Sequence, residues 1–347
     1  MDPAKLLALV DAVGSRTVAV VGDVVADEFV YGRVARVSRE APVLILEYDS
    51  TDVVAGAGGN AANNVAALGG RARLVGLVGR DEPGRRLLGA LHRRVEPRAL
   101  IRAAGRPTPV KTRILAGGIH SAKQQVVRVD RAVRARIDRK TRALFERRAL
   151  EAVVRADAVL LSDYGSGLVT PALASRLRAA LRRAGRDVPI LVDSRYRLLD
   201  YRGLTACTPN ESEVERALGV TIDDSRAVLE RAGRDILERT GMQAVLITRG
   251  SRGMALFQPA APTVHVPIFG SDEIADVTGA GDTVVAAMTL ALSAGASFEG
   301  AARLANCAGG LVVMKRGTAT VSADELRRAI RTEAARTRAA GRGRGRG

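Results

Sequence analysis

The segment Asp276-Val-Thr-Gly-Ala-Gly-Asp282 joins carboxylates to small residues just before an apolar run of helical character. A helix start exposes four unpaired backbone N–H groups and a positive dipole end, and glycine lets an anion approach them closely. The amides of Gly279, Ala280 and Gly281 therefore form a predicted anion cradle. Asp282 has two interpretations, an N-terminal cap of the helix or a general base beside the cradle. The pattern G-x-x-x-x-G-K-[ST] is absent from the sequence, which excludes a P-loop.

Four further polar clusters have the residue types of a ligand site. They are Gly22-Asp23, Gly56-Ala-Gly-Gly-Asn60, Asn210-Glu-Ser-Glu213 and Thr248-Arg-Gly-Ser-Arg-Gly253. Each has an ordinary alternative on its own, such as turn chemistry for the glycines or a helix cap for Asn210. They share a position, because each lies at the end of a predicted strand.

The elements that must position these clusters alternate along the chain. Short apolar runs predict strands, and the segments between them have helical periodicity. The runs are 17–21, 158–161, 189–192 and 244–248, and the helical segments include 144–154, 171–184 and 225–240. This alternation predicts an α/β fold with a mostly parallel sheet covered on both faces, and ligands then bind outside the carboxyl ends of the strands.

Residues 29–49 and 107–128 have a different pattern, in which Val, Ile and Tyr alternate with polar residues. Two-sided alternation favours a small antiparallel sheet, which would serve as a lid or as an oligomer surface. We predict one domain over residues 1–336. The Gly/Arg-rich end, 337–347, is predicted to be a disordered basic tail.

The composition narrows the function classes. A net charge of +17 invites a nucleic-acid hypothesis, but the arginines are spread along the chain and aromatic residues make up only 3%. Nucleic-acid binding is therefore not expected. Cys207 and Cys307 are isolated and have no metal-ligand spacing, so neither a disulfide framework nor a zinc site is expected. The sequence lacks a membrane-length apolar run and a secretion-signal core, which predicts a cytoplasmic protein without a membrane contact.

In this order, the clusters resemble the ribokinase-like, or phosphofructokinase B, family of sugar kinases. The similarity covers roughly Val18 to Ser322, including two signature stretches of the family, Ala55–Gly79 and Asp276–Thr289. Within the family, the chain is most similar to kinases of D-glycero-D-manno-heptose 7-phosphate, including the kinase half of the bifunctional heptose enzyme. That closer similarity rests on Gly22–Gly32, Ser38–Val43, Gln124–Asp130, Ser162–Gly165, Tyr201–Gly203 and Leu204–Asn210.

The resemblance implies a three-layer α/β sandwich with a small β-lid, and phosphoryl transfer from ATP to the anomeric O1 of the sugar. Asp282 would be the base, and the amides of residues 279–281 would stabilise the transferring group. The resemblance also implies nucleotide contacts at Asn210, Glu213, Thr248, Gly250, Gly253 and Asn306, with Asn306 beside the adenine. Glu213 would help to hold Mg²⁺, mostly through water. Asp276 and Thr278 match positions that hold K⁺ in the family, and ordinary turn carbonyls are the alternative.

For the sugar, the resemblance implies contacts from Asp23, Asn60, Arg36, Lys111, Arg113, Gln125 and Asp193. A carboxylate accepts hydrogen bonds from hydroxyls, and cationic groups in the lid suit a substrate that already carries a phosphate. Solvated surface is the alternative for the lid cations. The chain departs from the heptose-kinase pattern at Arg39, where the pattern has Pro, at Ala57, where it has Gly, and at Ser194-Arg195, where it has Pro-Lys.

Two other functions stay open on the sequence. One is a kinase of another sugar or nucleoside, such as ribose, fructose or adenosine. The other is a non-catalytic nucleic-acid or regulatory binding protein on the same fold. The family resemblance also implies a homodimer through the lid, whose strand edges need covering.

Overall fold

The computed structural model describes residues 2–117, 123–133, 136–270 and 276–344, with side chains as far as residue 336. The helices are Pro3–Ala12 (α1), Gly58–Ala67 (α2), Glu82–Gly89 (α3), Arg139–Val153 (α4), Pro171–Arg183 (α5), Glu211–Leu218 (α6), Arg226–Thr240 (α7), Ala280–Ser293 (α8), Phe298–Val312 (α9) and Ala323–Arg344 (α10). The strands are Thr17–Gly22 (β1), Val24–Val37 (β2), Leu44–Ala57 (β3), Arg71–Val75 (β4), Leu77–Gly79 (β5), Val95–Glu96 (β6), Ile101–Ala103 (β7), Val110–Gly117 (β8), Gln124–Arg131 (β9), Ala158–Asp163 (β10), Ile190–Ser194 (β11), Ala206–Cys207 (β12), Ala244–Thr248 (β13), Met254–Phe257 (β14) and Val264–Val266 (β15).

The main sheet has the strand order β15-β14-β13-β12-β11-β10-β1-β4-β6. Its strands are parallel from β6 to β13, and β14 pairs antiparallel with both of its neighbours. After β1 the chain continues to β4 on one side, and β10 later pairs with the other side of β1. Such a reversal of strand order opens a crevice at the carboxyl ends of the two strands. The site is therefore expected where β1 and β10 end.

Alternating residues of β1 face the two halves of the core. Val18 and Val20 belong to the cluster under α1, α2, α8, α9 and α10, whereas Ala19 and Val21 belong to the cluster under α4, α5 and α7. All four side chains are fully buried. A strand buried on both faces needs a continuous apolar run, and that is what the sequence has here. The predicted three-layer α/β sandwich is confirmed.

A second, smaller sheet has the order β3-β2-β8-β9. The β2–β3 and β8–β9 pairings are antiparallel as predicted, but the central β2–β8 pairing is parallel. Alternation reports which face a side chain takes and not the direction of the neighbouring strand, so the sequence pattern could not distinguish these pairings. Residues 118–122 of the predicted lid lie outside the described residues.

The end of the chain differs from its predicted character over part of its length. The backbone of α10 is helical as far as Arg344, inside the segment for which a disordered tail was predicted. Residues 345–347 lie outside the described residues, so the tail and its boundary at 336 stay predictions. In the described part of the chain, every helix is too short or too polar to cross a lipid bilayer.

Ala57 has a strained backbone at the start of α2, with φ 53° and ψ −129°. Glycine adopts positive φ freely, whereas an alanine held in such a region carries strain of about 1–3 kcal/mol. We expect Ala57→Gly to raise the free energy of unfolding by about 1 kcal/mol, because the relieved strain exceeds the extra chain entropy of glycine. Denaturant unfolding measures this.

The matched control for that variant is Ala179→Gly, in the interior of α5. There the backbone is ordinary right-handed helix, and the same change is expected to lower stability by about 1 kcal/mol. Equal losses in the two variants would mean that Ala57 carries no strain.

Candidate active site

Asp23 lies at the carboxyl end of β1, in the crevice beside β10. Its buried carboxylate accepts hydrogen bonds from the backbone N–H of Tyr164 at 2.8 Å and from the backbone N–H and hydroxyl of Ser166. The backbone carbonyl of Asp23 accepts from Gly58 N–H at 2.8 Å, which fixes the start of α2 against β1. Burial raises the pKa of Asp23. Asp23, the predicted sugar-binding residue, is thus held rigidly in the crevice.

Asp282 lies in the first turn of α8, with its carboxylate inside the protein. Its Oδ2 accepts from Asn60 Nδ2 at 2.8 Å, and its Oδ1 accepts from the Tyr164 hydroxyl at 3.0 Å. The N-cap residue of α8 is Gly279, in the left-handed region with φ 80°. The interpretation of Asp282 as the helix cap is therefore wrong, because its oxygens are turned away from the helix amides towards neighbouring side chains. The interpretation as a base fits this orientation.

The electrostatic surroundings of Asp282 set its proton affinity. Burial raises its pKa to about 6, hydrogen bonds from Asn60 and Tyr164 lower the pKa, and the charges of Asp27 and Arg195 act in opposite directions. A carboxylate with a pKa near 6 is mostly ionised at neutral pH and still accepts a proton readily. This combination suits a general base.

Asn60 is held by a network that begins in α2. Its Oδ1 accepts from Asn64 Nδ2 at 3.1 Å, and Asn64 Oδ1 accepts from the Thr283 hydroxyl at 3.0 Å. Asn64 and Thr283 were not predicted as site residues from the sequence. The four-residue spacing of Asn60 and Asn64 on one helix could have indicated a pair. The network orients the amide that touches Asp282.

The predicted anion cradle surrounds the start of α8. A Cβ at Gly279 would lie 2.5 Å from Asn60 Nδ2, so a side chain there would displace the residue that orients Asp282. Around Gly281 the space is open, because a Cβ there would meet nothing within 4 Å. The amide of Ala280 donates to the carbonyl of Val277 at 3.2 Å. The cradle role of these three amides stays a prediction.

A cavity of about 300 Å³ opens between the crevice and the smaller sheet. Its described lining includes Asp23, Tyr164, Arg106, Lys111, Arg128, Arg131 and Arg195. Arg106, Arg128 and Arg131 were missed as candidates, although Arg128 lies in one of the stretches that carry the family resemblance. Asp130 also lines the cavity and pairs with Arg128, so the described cations outnumber the described carboxylates there and the cavity is suited to an anionic group.

The predicted lid residues separate into different environments. Lys111 lines the cavity, and burial lowers its pKa. Arg36 and Gln125 are exposed on β2 and β9. Arg113 is buried in an ion pair with Asp27, at 2.9 Å between Nη1 and Oδ1. Of these four residues, Lys111 lines the same cavity as Asp23.

Asn210 and Glu213 form a reciprocal capping box at the start of α6. Glu213 N–H donates to Asn210 Oδ1 at 2.9 Å, and Asn210 N–H donates to Glu213 Oε2 at 3.0 Å. The alternative interpretation of Asn210 as a helix cap is therefore confirmed. Asn210 also bridges to Thr248 at the end of β13, so two of the predicted nucleotide residues are neighbours.

Gly250 and Gly253 belong to the turn that follows β13, and both have positive φ. A Cβ at Gly253 would lie 2.1 Å from the carbonyl oxygen of Val266. The turn therefore packs against the end of β15. Val266 also lines a second cavity, of about 420 Å³, whose described lining includes Pro267, Ile268, Phe269 and Asn306. Asn306 Nδ2 donates to the carbonyl of Pro267 at 2.8 Å, which turns its amide towards this segment.

Asp276 and Thr278 form a tight turn before α8. The Asp276 carboxylate accepts from Thr278 N–H at 2.9 Å and from Gly317 N–H at 3.0 Å. Burial opposes ionisation here, but these hydrogen bonds and the charge of Arg113 hold the pKa of Asp276 below its usual value. The turn alternative accounts for the side-chain oxygens of Asp276.

Asp193, at the end of β11, is electrostatically linked to Glu213. Burial raises the pKa of Asp193 well above its usual value, and the charges of Glu213 and Asp282 raise it further. Burial also raises the pKa of Glu213. Two half-buried carboxylates that oppose each other's ionisation would be stabilised by a nearby positive charge.

Known proteins are similar to this chain over most of its length. A model of the pfkB family of carbohydrate kinases matches residues 15–325. Among curated relatives, the bifunctional protein HldE of Caulobacter vibrioides is 43% identical over 94% of this chain, and that of Geobacter sulfurreducens is 38% identical over 90%. The chain spans 65% and 62% of the lengths of these two relatives.

Solved structures support the fold at lower identity. Arabidopsis thaliana ribokinase, complexed with ribose and ATP, has a TM-score of 0.70 at 21% identity, over 91% of this chain and 99% of its own. Phosphofructokinase-2 from Escherichia coli, in complex with potassium, has a TM-score of 0.71 at 18% identity, over 92% and 98%. The ribokinase-like fold is confirmed. With the family match over most of its length, this chain belongs to the pfkB family of carbohydrate kinases.

Proposed function

We propose that this protein transfers the γ-phosphoryl group of ATP to O1 of D-glycero-D-manno-heptose 7-phosphate and forms heptose 1,7-bisphosphate. The observation that carries the proposal is the placement of Asp282. It is a buried carboxylate with a pKa near 6, and Tyr164 connects it to the cation-lined cavity. Membership of a carbohydrate kinase family supports the reaction class.

In the proposed reaction, Asp282 accepts the proton of the sugar hydroxyl as that oxygen attacks the phosphorus. The bond between the γ-phosphorus and the ADP oxygen breaks, and ADP leaves. The backbone at Gly281 is open to the transferring group, and the helix dipole of α8 favours negative charge there. Asp23 and Asn60 would hold sugar hydroxyls, because their positions flank the crevice.

ATP and Mg²⁺ are the proposed cofactors. Mg²⁺ neutralises charge on the phosphates during transfer, and it retains several waters when bound. Glu213 and Asp193 would fit this ion, since burial and their mutual repulsion oppose the ionisation of both carboxylates and a divalent cation would relieve that opposition. Glu213 keeps Oε1 for water-mediated contact while its Oε2 caps α6.

The nucleotide would lie across the turn after β13. Thr248, Gly250 and Gly253 would lie near the phosphates and ribose, and Asn306 with its neighbouring cavity would take the adenine. A potassium ion near Asp276 and Thr278 would use main-chain carbonyl oxygens, because the Asp276 carboxylate already accepts two backbone N–H groups.

The cation-lined cavity is the proposed sugar-side cavity, and a substrate that already carries a phosphate fits it. Lys111 and Arg195 lie there, and Arg offers a bidentate fork to phosphate where the related pattern has the point charge of Lys. Arg36, Arg113 and Gln125 stay proposed contacts through the smaller sheet. Val37 and Val127 are exposed on that sheet, as expected for the proposed homodimer contact.

A panel of acceptors tests the proposal. The enzyme is assayed with ATP and Mg²⁺ on heptose 7-phosphate, free heptose, ribose, fructose, fructose 6-phosphate and adenosine. We expect the highest kcat/KM on heptose 7-phosphate. Fastest turnover of ribose or adenosine, with none of heptose 7-phosphate, would reject the substrate. No turnover and no ATP binding, with nucleic-acid binding retained after removal of residues 337–347, would reject the kinase proposal itself.

A further inference from the structure

Tyr164 occupies the junction between the cation-lined cavity and Asp282. It belongs to the stretch Ser162–Gly165, which carried the family resemblance without a function assigned to it. Its ring lies under two cations, with Lys111 Nζ at 4.9 Å and Arg195 Cζ at 4.5 Å from the ring centroid. Its hydroxyl donates to Asp282 Oδ1 at 3.0 Å. One side chain therefore touches both the cations and the base.

The backbone beneath Tyr164 is fixed by Asp163, which is fully buried at the end of β10. Asp163 Oδ2 accepts from the Ser194 hydroxyl at 2.9 Å and from the Tyr201 hydroxyl at 2.7 Å, and its Oδ1 accepts from Gly165 N–H at 3.1 Å. On the other side, Tyr164 N–H donates to Asp23. These contacts fix the backbone from which the Tyr164 side chain extends.

We propose that Tyr164 is a positioning residue for the proposed phosphoryl transfer: it aims the Asp282 carboxylate and keeps it ionised while its ring rests on the cations of the sugar-side cavity. An ionised carboxylate has about four lone-pair sites. Asp282 can therefore accept from Asn60, from Tyr164 and from a sugar hydroxyl at once. The role of Tyr164 in phosphoryl transfer rests on the proposed function, whereas its effect on the ionisation of Asp282 does not.

The hydrogen bond from Tyr164 lowers the pKa of Asp282 and so opposes the effect of burial. Burial raises the pKa of Asp282, the two side-chain hydrogen bonds lower it, Asp27 raises it and Arg195 lowers it. The charge of Asp282 also raises the pKa of Asp193. Burial and the charge of Asp282 raise the pKa of Tyr164 well above its usual value, so the phenol stays protonated and donates throughout the working range.

The first test is the pH profile of kcat in Tyr164→Phe, which keeps the ring and removes the donor. We expect kcat at neutral pH to fall about tenfold or more and the acid limb to move up by about one pH unit, with the sugar KM changed less than about threefold. Substrate phosphates titrate equally in both enzymes, so the difference between the profiles reports the protein. The matched control is Tyr48→Phe, an exposed tyrosine on β3, whose profile should coincide with wild type.

The second test needs no turnover. The difference in unfolding free energy between Asp282→Asn and wild type is followed against pH, and again between the same two chains carrying Tyr164→Phe. Each difference stops rising where Asp282 becomes ionised in the folded protein. We expect that point near about pH 6 in wild type and about one unit higher with Tyr164→Phe.

The outcomes separate the two proposals. If Tyr164→Phe raises the plateau pH but the protein phosphorylates no sugar, the proposed function is rejected and the effect of Tyr164 on Asp282 is supported. An unmoved plateau and an unmoved acid limb would overturn the inference, even if the kinase activity is present. A raised sugar KM with unchanged kcat would also overturn it, because Tyr164 would then bind substrate rather than position the base.

Discussion

Asp282→Asn is expected to lose turnover by about 10²- to 10⁴-fold and to keep ATP binding nearly intact. The asparagine has almost the same shape and keeps one oxygen for Asn60 or Tyr164, but it cannot take the proton of the sugar hydroxyl. Steady-state rates and a direct titration with ATP measure the two effects. A variant with normal turnover would show that another group accepts the proton.

The same substitution is expected to stabilise the folded protein at neutral pH. The pKa of Asp282 rises from 3.8 to about 6 on folding, so the folded state holds its proton more tightly and loses stability as the pH rises through this range. The cost is absent below about pH 4 and complete above about pH 6. Removing the charge should therefore return up to about 3 kcal/mol above that range and little below it.

Asp81→Asn is the matched control with the opposite sign. Asp81 caps α3 and accepts from Thr108 and Gly84, and these hydrogen bonds hold its pKa below the usual value despite burial. A carboxylate with a lowered pKa stabilises the fold above its unfolded pKa and loses that stabilisation as the pH falls. Asp81→Asn should therefore lose stability at neutral pH. Equal losses of unfolding free energy in the two variants would contradict a destabilising effect of the buried Asp282 charge.

Lys111→Met is expected to raise the KM for a phosphorylated sugar by about 10- to 100-fold, because a hydrogen bond to a charged group is worth about 1.5–3 kcal/mol. The KM for the same sugar without its phosphate should change by less than about threefold, since no anion then faces the lost cation. The ratio of the two KM values is the measurement. Methionine keeps much of the apolar stem that packs near Tyr164.

Lys123→Met is the matched control for that experiment. Lys123 precedes β9, pairs with Asp49 and lies over the ring of Tyr31, outside the described lining of the sugar-side cavity. Its loss should leave both KM values unchanged. If Lys111→Met raised the KM of both sugars equally, Lys111 would contribute to folding or to general sugar contact rather than to phosphate recognition.

The residues that local pattern predicted well are those whose chemistry lies in a short segment. Glycine-rich stretches before α2 and α8 indicated Asn60 and Asp282, and the structure brings the two side chains to 2.8 Å. Asp23 follows directly from the end of a buried strand. Asp23 follows β1 of the parallel sheet, so the carboxyl end of a buried strand was enough to indicate it.

Tyr164 and the Arg113–Asp27 pair required the folded structure. Tyr164 and Asp282 are 118 residues apart, and no local pattern states that the end of β10 meets the start of α8. Alternation in the smaller sheet assigns faces, but it does not state that Arg113 turns to a buried carboxylate while Lys111 lines a cavity. Asn210 and Glu213 illustrate the converse, since the spacing that suggests a nucleotide site is also that of a capping box.

The central claim is phosphoryl transfer to O1 of a sugar that already carries a phosphate. Its most direct test is phosphorus NMR of the product formed from heptose 7-phosphate, ATP and Mg²⁺. We expect consumption of ATP with a second phosphate ester on the anomeric oxygen, and loss of that product in Asp282→Asn. A phosphate on another oxygen, or undiminished product from the variant, would contradict the account.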